Sequence, residues 1–174
     1  MVVDTVGTSR YPDKNERNDV SGQQEAVLPR RYVVGVDGSE ASIDALRWAT
    51  AEAKANGGGD VRAVLVWEVP YGGLATSMGQ GAYGLPNTTI LEEDASLRLQ
   101  SCIEALGDTS AVEVHAEVVE GQPASVLLEL SHEADLVVVG SRGHGGFASL
   151  LLGSVSAQVV QHAHCSVVVV RPHD

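Results

Sequence analysis

The chain has 174 residues and a formal net charge of −12, from 11 Lys and Arg against 23 Asp and Glu. This length predicts one domain with a substantial core. An acidic chain offers no basic field that collects the phosphates of a nucleic acid or the head groups of an anionic membrane, so we expect neither as a partner. A single small phosphate ligand is compatible with this charge, because backbone amides can hold it.

Cysteine content and hydropathy indicate the compartment. Two cysteines, Cys102 and Cys165, are too few for a disulfide framework and are typical of a reduced, cytosolic protein. The sequence starts with no apolar segment of signal-peptide length, and it has no later run of about 18 apolar residues. These features predict a cytoplasmic protein without a membrane partner.

Regular patterning is predicted to begin at about residue 30. Residues 1–29 are polar and aperiodic, which is typical of a disordered N-terminal tail, whereas residues 30–172 form the predicted domain. Five short apolar segments recur along this domain. The third alternates, as an edge strand does, and the fourth is continuously apolar, as a strand buried on both faces is. The predicted strands are 32–36, 61–69, 111–119, 135–140 and 165–170.

Segments with apolar residues at helical spacing separate these strands. The predicted helices begin with Ser39 as N-cap, at Thr88 or Thr89, at Pro123 and at Ser154. Residues 70–87 are rich in Gly, Tyr and Pro and predict a long loop before the second helix. The alternation of strands and helices predicts a single-domain α/β fold with a doubly wound parallel sheet of five strands.

Two strand ends carry unusual residues, Val36-Asp37-Gly38-Ser39 after the first strand and Gly140-Ser141-Arg142-Gly143 after the fourth. Open α/β sheets bind ligands beyond the carboxyl ends of their strands, where the strand order reverses. In a sheet ordered 3-2-1-4-5, the first and fourth strands are neighbours at this reversal. Both motifs would then face one crevice, and this convergence favours a ligand site.

The glycine-rich segment has a physical interpretation of its own. Gly140 and Gly143 allow the backbone to turn and to expose N–H groups towards an anion. Gly153 and Ser154 open a helix whose free amides and dipole favour phosphate, and the hydroxyls of Ser154 and Ser156 are predicted to add donors. The segment lacks the lysine of a Walker A motif and the spacing of the dinucleotide-binding motif.

The spacing Gly140-x2-Gly143-x9-Gly153-Ser154 matches the ATP-binding signature of universal stress proteins without a gap. The chain resembles this family over about residues 31–171. The segments VVGVDGSEAS, VLVWEV and HAHCSVVVVR are similar to the family's opening segment, second strand and closing strand, although Ser166 stands where the family usually has proline. The resemblance implies the strand order 3-2-1-4-5 and a Rossmann-like domain related to the adenine nucleotide alpha hydrolases.

The resemblance also implies a ligand, ATP with Mg²⁺ or Mn²⁺, and a homodimer through the C-terminal strand 165–170. Gly35 and Asp37 would lie at the site, with Asp37 beside the adenosine, and the backbone of Val66 would contact the adenine edge. The residues implied to wrap the ribose and phosphates are Gly140, Ser141, Arg142, Gly143 and Gly145. Those implied to complete the phosphate cradle are Gly153, Ser154, Val155 and Ser156.

Each of these features also has a plainer structural explanation. Asp37 can shape the turn before the first helix, the glycines can form only a sharp connection, and Arg142 can lie in solvent. The segment His162-Ala163-His164-Cys165 suggests a metal site, but side chains at a helix end diverge, and we assign no metal-ligating residue. The valines at 167–170 can form an ordinary buried strand or an edge that pairs with a second copy.

Three functions are compatible with the sequence. The first, which we favour, is an ATP-binding regulatory protein of the stress response that acts through an unidentified protein partner. The second is a slow ATPase or a related adenine-nucleotide enzyme, for which we can assign no catalytic residue. The third is an interaction or scaffold protein that carries no nucleotide.

Overall fold

The computed structural model describes residues 30–69, 88–109, 111–143 and 152–172. Within these ranges five strands and four helices alternate, as the sequence predicts. In chain order they are β1 (Arg30–Gly35), α1 (Glu40–Ala55), β2 (Gly59–Trp67), α2 (Thr88–Glu104), β3 (Glu113–Glu120), α3 (Pro123–Leu130), β4 (Leu136–Gly140), α4 (Ser154–His162) and β5 (Ser166–Val170). The predicted tail and the predicted loop 70–87 lie outside the described residues.

The five strands form one parallel sheet in the order β3-β2-β1-β4-β5, which confirms the predicted fold class and strand order. The order reverses at β1, because the chain adds β2 and β3 on one side of it and then β4 and β5 on the other. β1 and β4 pair from Tyr32 with Leu136 to Gly35 with Val139. Their carboxyl ends are therefore neighbours, at the place where open α/β sheets bind ligands.

Helices cover both faces of the sheet. α1 and α2 pack on the face that carries Tyr32 and Val34, and α3 and α4 pack on the face that carries Val33 and Val64. Alternate residues of a strand thus enter different layers of the core. β4 is buried over most of its length, whereas β3 lies at an edge and is half-exposed, and both observations agree with the predictions. No helix in the described part of the chain is both long and apolar enough to span a membrane.

Small side chains allow α1 to lie close to the sheet. Ala45, Ala49 and Ala53 are fully buried against the strands, so the α1 backbone approaches the sheet closely. The helix begins as predicted, with Ser39 as N-cap and its hydroxyl oxygen accepting from the Ser42 amide at 3.3 Å.

The three glycines after α1, at positions 57–59, make β2 begin at a different residue from the predicted one. Gly57 and Gly58 have φ angles of 83° and 118° and form the turn, but Gly59 is already the first residue of β2. A Cβ atom on Gly59 would stand 3.1 Å from the Arg30 carbonyl oxygen of the neighbouring strand. β2 therefore begins earlier than predicted and ends at Trp67.

Candidate functional site

A cavity of about 500 Å³ opens at the carboxyl ends of β1, β2 and β4 and reaches the first turn of α4. Its volume lies within the range of about 300–1,000 Å³ that is usual for small-molecule sites. The lining residues are Gly35, Val36, Asp37, Ser42, Val64, Val66, Pro123, Leu127, Val139, Gly140, Arg142, Gly143, Gly153, Ser154, Val155 and Ser156.

The predicted site residues that the structure describes all line this cavity, except Ser141. Ser141 is 1% exposed and lies behind the wall. Its amide donates to the Val170 carbonyl at 2.6 Å, and its carbonyl accepts from the Gly153 amide at 2.8 Å. Ser141 therefore fixes α4 and β5 to the end of β4 instead of forming part of the wall. Gly145 lies outside the described residues.

Asp37 lies where β1 runs into α1 and serves the local turn. Its Oδ1 accepts from the Ser39 amide at 2.9 Å and from the Ser39 hydroxyl at 2.5 Å. The Ser42 hydroxyl oxygen accepts from the amides of Asp37 and Gly38, and Gly38 has a φ of 87°. Oδ1 of Asp37 thus shapes the turn before α1, as the structural explanation predicts. Asp37 also lines the cavity.

Two glycines of the motif lie close to other parts of the protein, Gly140 to the backbone of α1 and Gly143 to the end of the Asp37 side chain. A Cβ atom on Gly140 would stand 2.7 Å from the Ala41 carbonyl carbon of α1, and one on Gly143 would collide with Asp37 Oδ2. The absence of a side chain at these positions lets α1 and the β1–α1 turn approach the end of β4. It follows that Gly140 and Gly143 are not by themselves evidence for a ligand.

Gly153 is different. It has a φ of −70° and a ψ of 162°, which any residue adopts, and a Cβ atom there would meet its nearest neighbours at 3.6–3.8 Å, an ordinary contact distance. Gly153 is the N-cap of α4, and with no side chain it leaves the first helical amides uncapped. The described residues therefore do not require glycine at this position, although it lines the cavity.

The first turn of α4 supplies the donors of the site. The first helical hydrogen bond runs from the Ala157 amide to the Gly153 carbonyl, so the amides of Ser154, Val155 and Ser156 have no acceptor within the helix. The Ser156 hydroxyl donates to the Gly140 carbonyl at 2.6 Å, which corrects the prediction that it adds a donor for phosphate. Ser154 is exposed at the mouth of the cavity. The arrangement of amides suits an anion.

Charge and apolar surface are separated within the cavity. Among the described lining residues, Asp37 carries the carboxylate and Arg142, which is exposed, carries the guanidinium. Away from them, side chains of β2 and α3 form an apolar wall of Val64, Val66, Pro123 and Leu127. Pro123 and Leu127 line the cavity although the sequence did not predict them as site residues. Their position could have been inferred from the element order, because a helix that directly follows a parallel strand begins near the carboxyl ends of the strands.

The histidine-rich segment lies just before β5, at the end of the sheet opposite to the cavity. His164 stacks on His132 with ring centroids 3.6 Å apart, and the His164 amide donates to the Ser131 hydroxyl oxygen at 2.9 Å. Parallel stacked rings direct their nitrogen atoms side by side and not towards a common point. No three His, Cys, Asp or Glu side chains in the described ranges are arranged, as they stand, to hold a metal ion.

The chain matches a family of known proteins over most of its length. The model of the universal stress protein family matches residues 29–171. A universal stress protein of Methanocaldococcus jannaschii is 33% identical over 147 residues, which cover 83% of this chain and 83% of that protein. A universal stress protein of Mycolicibacterium smegmatis is 42% identical over 159 residues, which cover 88% of this chain and 50% of that protein. The chain spans about half the length of several curated relatives that it matches.

A solved structure agrees with this result. A universal stress protein in complex with cAMP is 26% identical to the chain with a TM-score of 0.57, and the match covers 83% of this chain and 98% of the other. The nucleotide is a property of that protein.

Proposed function

The chain belongs to the universal stress protein family, and on that premise we propose that it is an ATP-binding, cytoplasmic member that regulates a stress response. Bound nucleotide stabilises the conformation or dimer that an unidentified regulatory protein recognises. The observation that carries the proposal is Gly153, because nothing among the described residues requires glycine there. A ligand that packs against the Gly153 backbone would explain a glycine that the described residues do not require.

The charges suggest one orientation for the nucleotide. The uncapped amides at the start of α4 attract phosphate, and Gly153 lets it approach them. The Asp37 carboxylate repels phosphate, so it faces the hydroxyl groups of the nucleoside. The apolar wall that includes Val66 and Leu127 receives the base. This orientation agrees with the roles that the family resemblance implies for Asp37 and Val66.

The proposal includes a divalent ion, Mg²⁺ or Mn²⁺, that enters with the ATP. ATP brings several negative charges to a chain whose own net charge is −12, and a divalent ion offsets part of this repulsion. Mg²⁺ usually keeps several water ligands and binds through substrate phosphates, so it needs few side chains from the protein. Its presence is therefore compatible with a cavity wall in which Asp37 is the carboxylate among the described residues.

A related protein supports the class of ligand. The universal stress protein with 26% identity was solved in complex with cAMP, which shares adenosine and a phosphate group with ATP. Of the adenine nucleotides, the triphosphate makes the fullest use of the three amides at the start of α4. ATP is therefore the ligand that we infer.

The proposal also includes a homodimer through β5. This strand pairs with β4 on one side, and within the described residues no strand covers its other side. Its four valines remain half-exposed in the single chain. An apolar edge strand that stays bare is an aggregation hazard, and pairing with a second copy removes it.

Replacement of Gly153 by serine tests the nucleotide site. A serine N-cap places its hydroxyl oxygen on one of the amides that we assign to phosphate. We expect Gly153→Ser to lower the affinity for ATP with Mg²⁺ by at least about tenfold in calorimetry, while helix stability rises by a few tenths of a kcal/mol. Binding and stability thus move in opposite directions, which separates loss of the site from loss of the fold.

Two further variants serve as controls. Gln158→Ser introduces the same side chain at an exposed position later in α4 and should leave affinity unchanged. Gly153→Ala adds a Cβ atom without an acceptor and reports the steric part of the effect alone. The proposal is wrong if the wild-type chain binds no ATP, or if Gly153→Ser binds it as tightly as Gln158→Ser does.

A further inference from the structure

A second group of polar side chains lies far from the cavity, at the amino ends of β2 and β3. Asp60 is the second residue of β2, and it pairs in register with Glu113 of β3. His115 follows on the same face of β3, since side chains two residues apart in a strand point the same way. This part of the sheet belongs to the face that α3 and α4 pack on.

Asp60 is buried without a hydrogen bond. Its side chain is 10% exposed, and neither carboxylate oxygen accepts a hydrogen bond within the described structure. The His115 Nε2 atom is also buried and makes no hydrogen bond, although Asp60 Oδ1 lies 3.4 Å from it and Glu113 Oε1 lies 3.2 Å from it. Burying a carboxylate without a hydrogen bond is costly, so such a group is where a further ligand for its oxygens is expected.

Two arginines lie near Asp60 without a hydrogen bond to it. Arg31 is the register partner of Asp60 on β1, but its Nε lies 3.8 Å from Asp135 Oδ2, and its Nε and Nη2 make no hydrogen bond. Arg62 pairs with Glu117, with Nη2 and Oε2 2.6 Å apart. Neither guanidinium therefore donates a hydrogen bond to Asp60.

We propose that Asp60, His115 and Glu113 bind a divalent first-row metal ion of the Zn²⁺ class. A tetrahedral ion with bonds of about 2.0–2.1 Å holds its ligand atoms about 3.3–3.4 Å apart. The His115 nitrogen stands at this spacing from both carboxylate oxygens, at 3.2 and 3.4 Å. An imidazole with carboxylates suits zinc better than magnesium, which prefers oxygen ligands alone.

One side chain has to turn for the site to close. As they stand, the three residues do not form a metal-binding group. The Glu113 side chain is 75% exposed and has room to rotate, whereas the Asp60 side chain is held in place by burial. With Glu113 turned inward, three side chains and one water complete a tetrahedral ion, and the half-exposed His115 leaves a path for entry.

Zinc titration of the full chain tests the site. After treatment with a chelator, the wild-type protein should bind Zn²⁺ at this position in calorimetry, and excess Mg²⁺ should not displace it. Glu113→Gln and His115→Gln should each weaken that binding by at least about tenfold. At one fixed concentration, Zn²⁺ should also raise the melting temperature of the wild type more than that of Glu113→Gln, because an ion bound only to the folded state stabilises it by an amount that grows with its affinity.

The controls replace residues elsewhere in the chain whose side chains could also bind Zn²⁺. His164→Gln and Cys165→Ser alter the histidine-rich segment at the end of α4 and should leave the Zn²⁺ affinity of the Asp60 site unchanged. Glu113 is largely exposed, so Glu113→Gln should fold even if Asp60→Asn does not. No saturable zinc binding, or equal affinity in the wild type, Glu113→Gln and His115→Gln, would overturn the proposal and leave only direct contacts of His115 with the two carboxylates.

Discussion

At the scale of single residues, the glycines of the site motif are glycine for different structural reasons. Gly140 makes room for the α1 backbone, Gly143 makes room for Asp37, and Gly153 makes room for nothing in the described chain. Substitution of each glycine therefore measures a different quantity. A loss of nucleotide binding is evidence about the ligand at Gly153, whereas at Gly140 or Gly143 it also reports a disturbed fold.

The contact between Gly143 and Asp37 leads to a prediction about coupling. Gly143→Ala should lower the free energy of unfolding by about 0.5–1.5 kcal/mol, because its Cβ atom collides with Asp37 Oδ2 and the Asp37 side chain has to leave its rotamer. In an Asp37→Ala background the same substitution should cost less, since the colliding oxygen is gone. Urea unfolding of the four chains of this cycle measures the difference. Equal costs in both backgrounds would contradict the contact.

A second prediction concerns the thiols. Burial raises the pKa of the Cys102 thiol, and the Asp37 carboxylate raises it further, so the reactive thiolate is scarce at neutral pH. Cys102 is 7% exposed in the core, whereas Cys165 is half-buried. A thiol reagent should therefore modify Cys165 at least about tenfold faster than Cys102 in the folded chain. Comparison of Cys165→Ser with Cys102→Ser assigns the two rates, and a fast reaction in Cys165→Ser would refute the prediction.

The position of most site residues could be predicted from the sequence, but the direction of their side chains could not. The motif spacing and the strand ends locate Asp37, Gly143 and Gly153, because strand order alone brings these points together. The hydroxyl of Ser156 turns to the Gly140 carbonyl, and Asp37 turns one oxygen to Ser39. Which hydrogen-bond partner each side chain finds depends on the exact distances between neighbouring loops, and a sequence pattern does not specify these distances.

At the scale of elements, the hydrophobic pattern predicts each strand and helix more reliably than its ends. β4 is a continuous apolar run and β3 an alternating one, and their buried and edge positions follow directly. The start of β2 does not follow, because Gly57, Gly58 and Gly59 look alike in sequence. Two of them form a turn and the third enters the sheet, a difference set by how closely the chain passes the Arg30 carbonyl.

The packing of α1 gives a prediction for an element. Ala49 is fully buried between α1 and the sheet, whereas Ala51 is exposed on the same helix. Ala49→Leu should lower the free energy of unfolding by about 1–3 kcal/mol, because the added atoms force the helix away from the strands. Ala51→Leu makes the same chemical change in solvent and should remain within about 0.5 kcal/mol of the wild type. Urea unfolding compares the two, and similar stabilities would show that α1 has room to move.

At the scale of the whole molecule, the two edges of the sheet are unequal. The β3 edge carries charged residues such as Glu113 and Glu117 on one face, and charges on an edge strand oppose pairing with another chain. The β5 edge carries an uncharged run from Ser166 to Val170. The resulting asymmetry favours association through β5 alone, and therefore a closed pair of chains instead of an extended polymer.

This asymmetry predicts the oligomeric state and a matched pair of variants. Light scattering after gel filtration should give twice the chain mass of 18.2 kDa for the wild type. Val168→Lys places a charge in β5 and should produce a monomer, whereas Val118→Lys makes the same change in β3 and should leave the dimer intact. Both valines are half-buried against the same core cluster, so the substitutions should cost similar stability and differ only in assembly. A wild-type monomer at high concentration, or dissociation by Val118→Lys alone, would rule out dimerisation through β5.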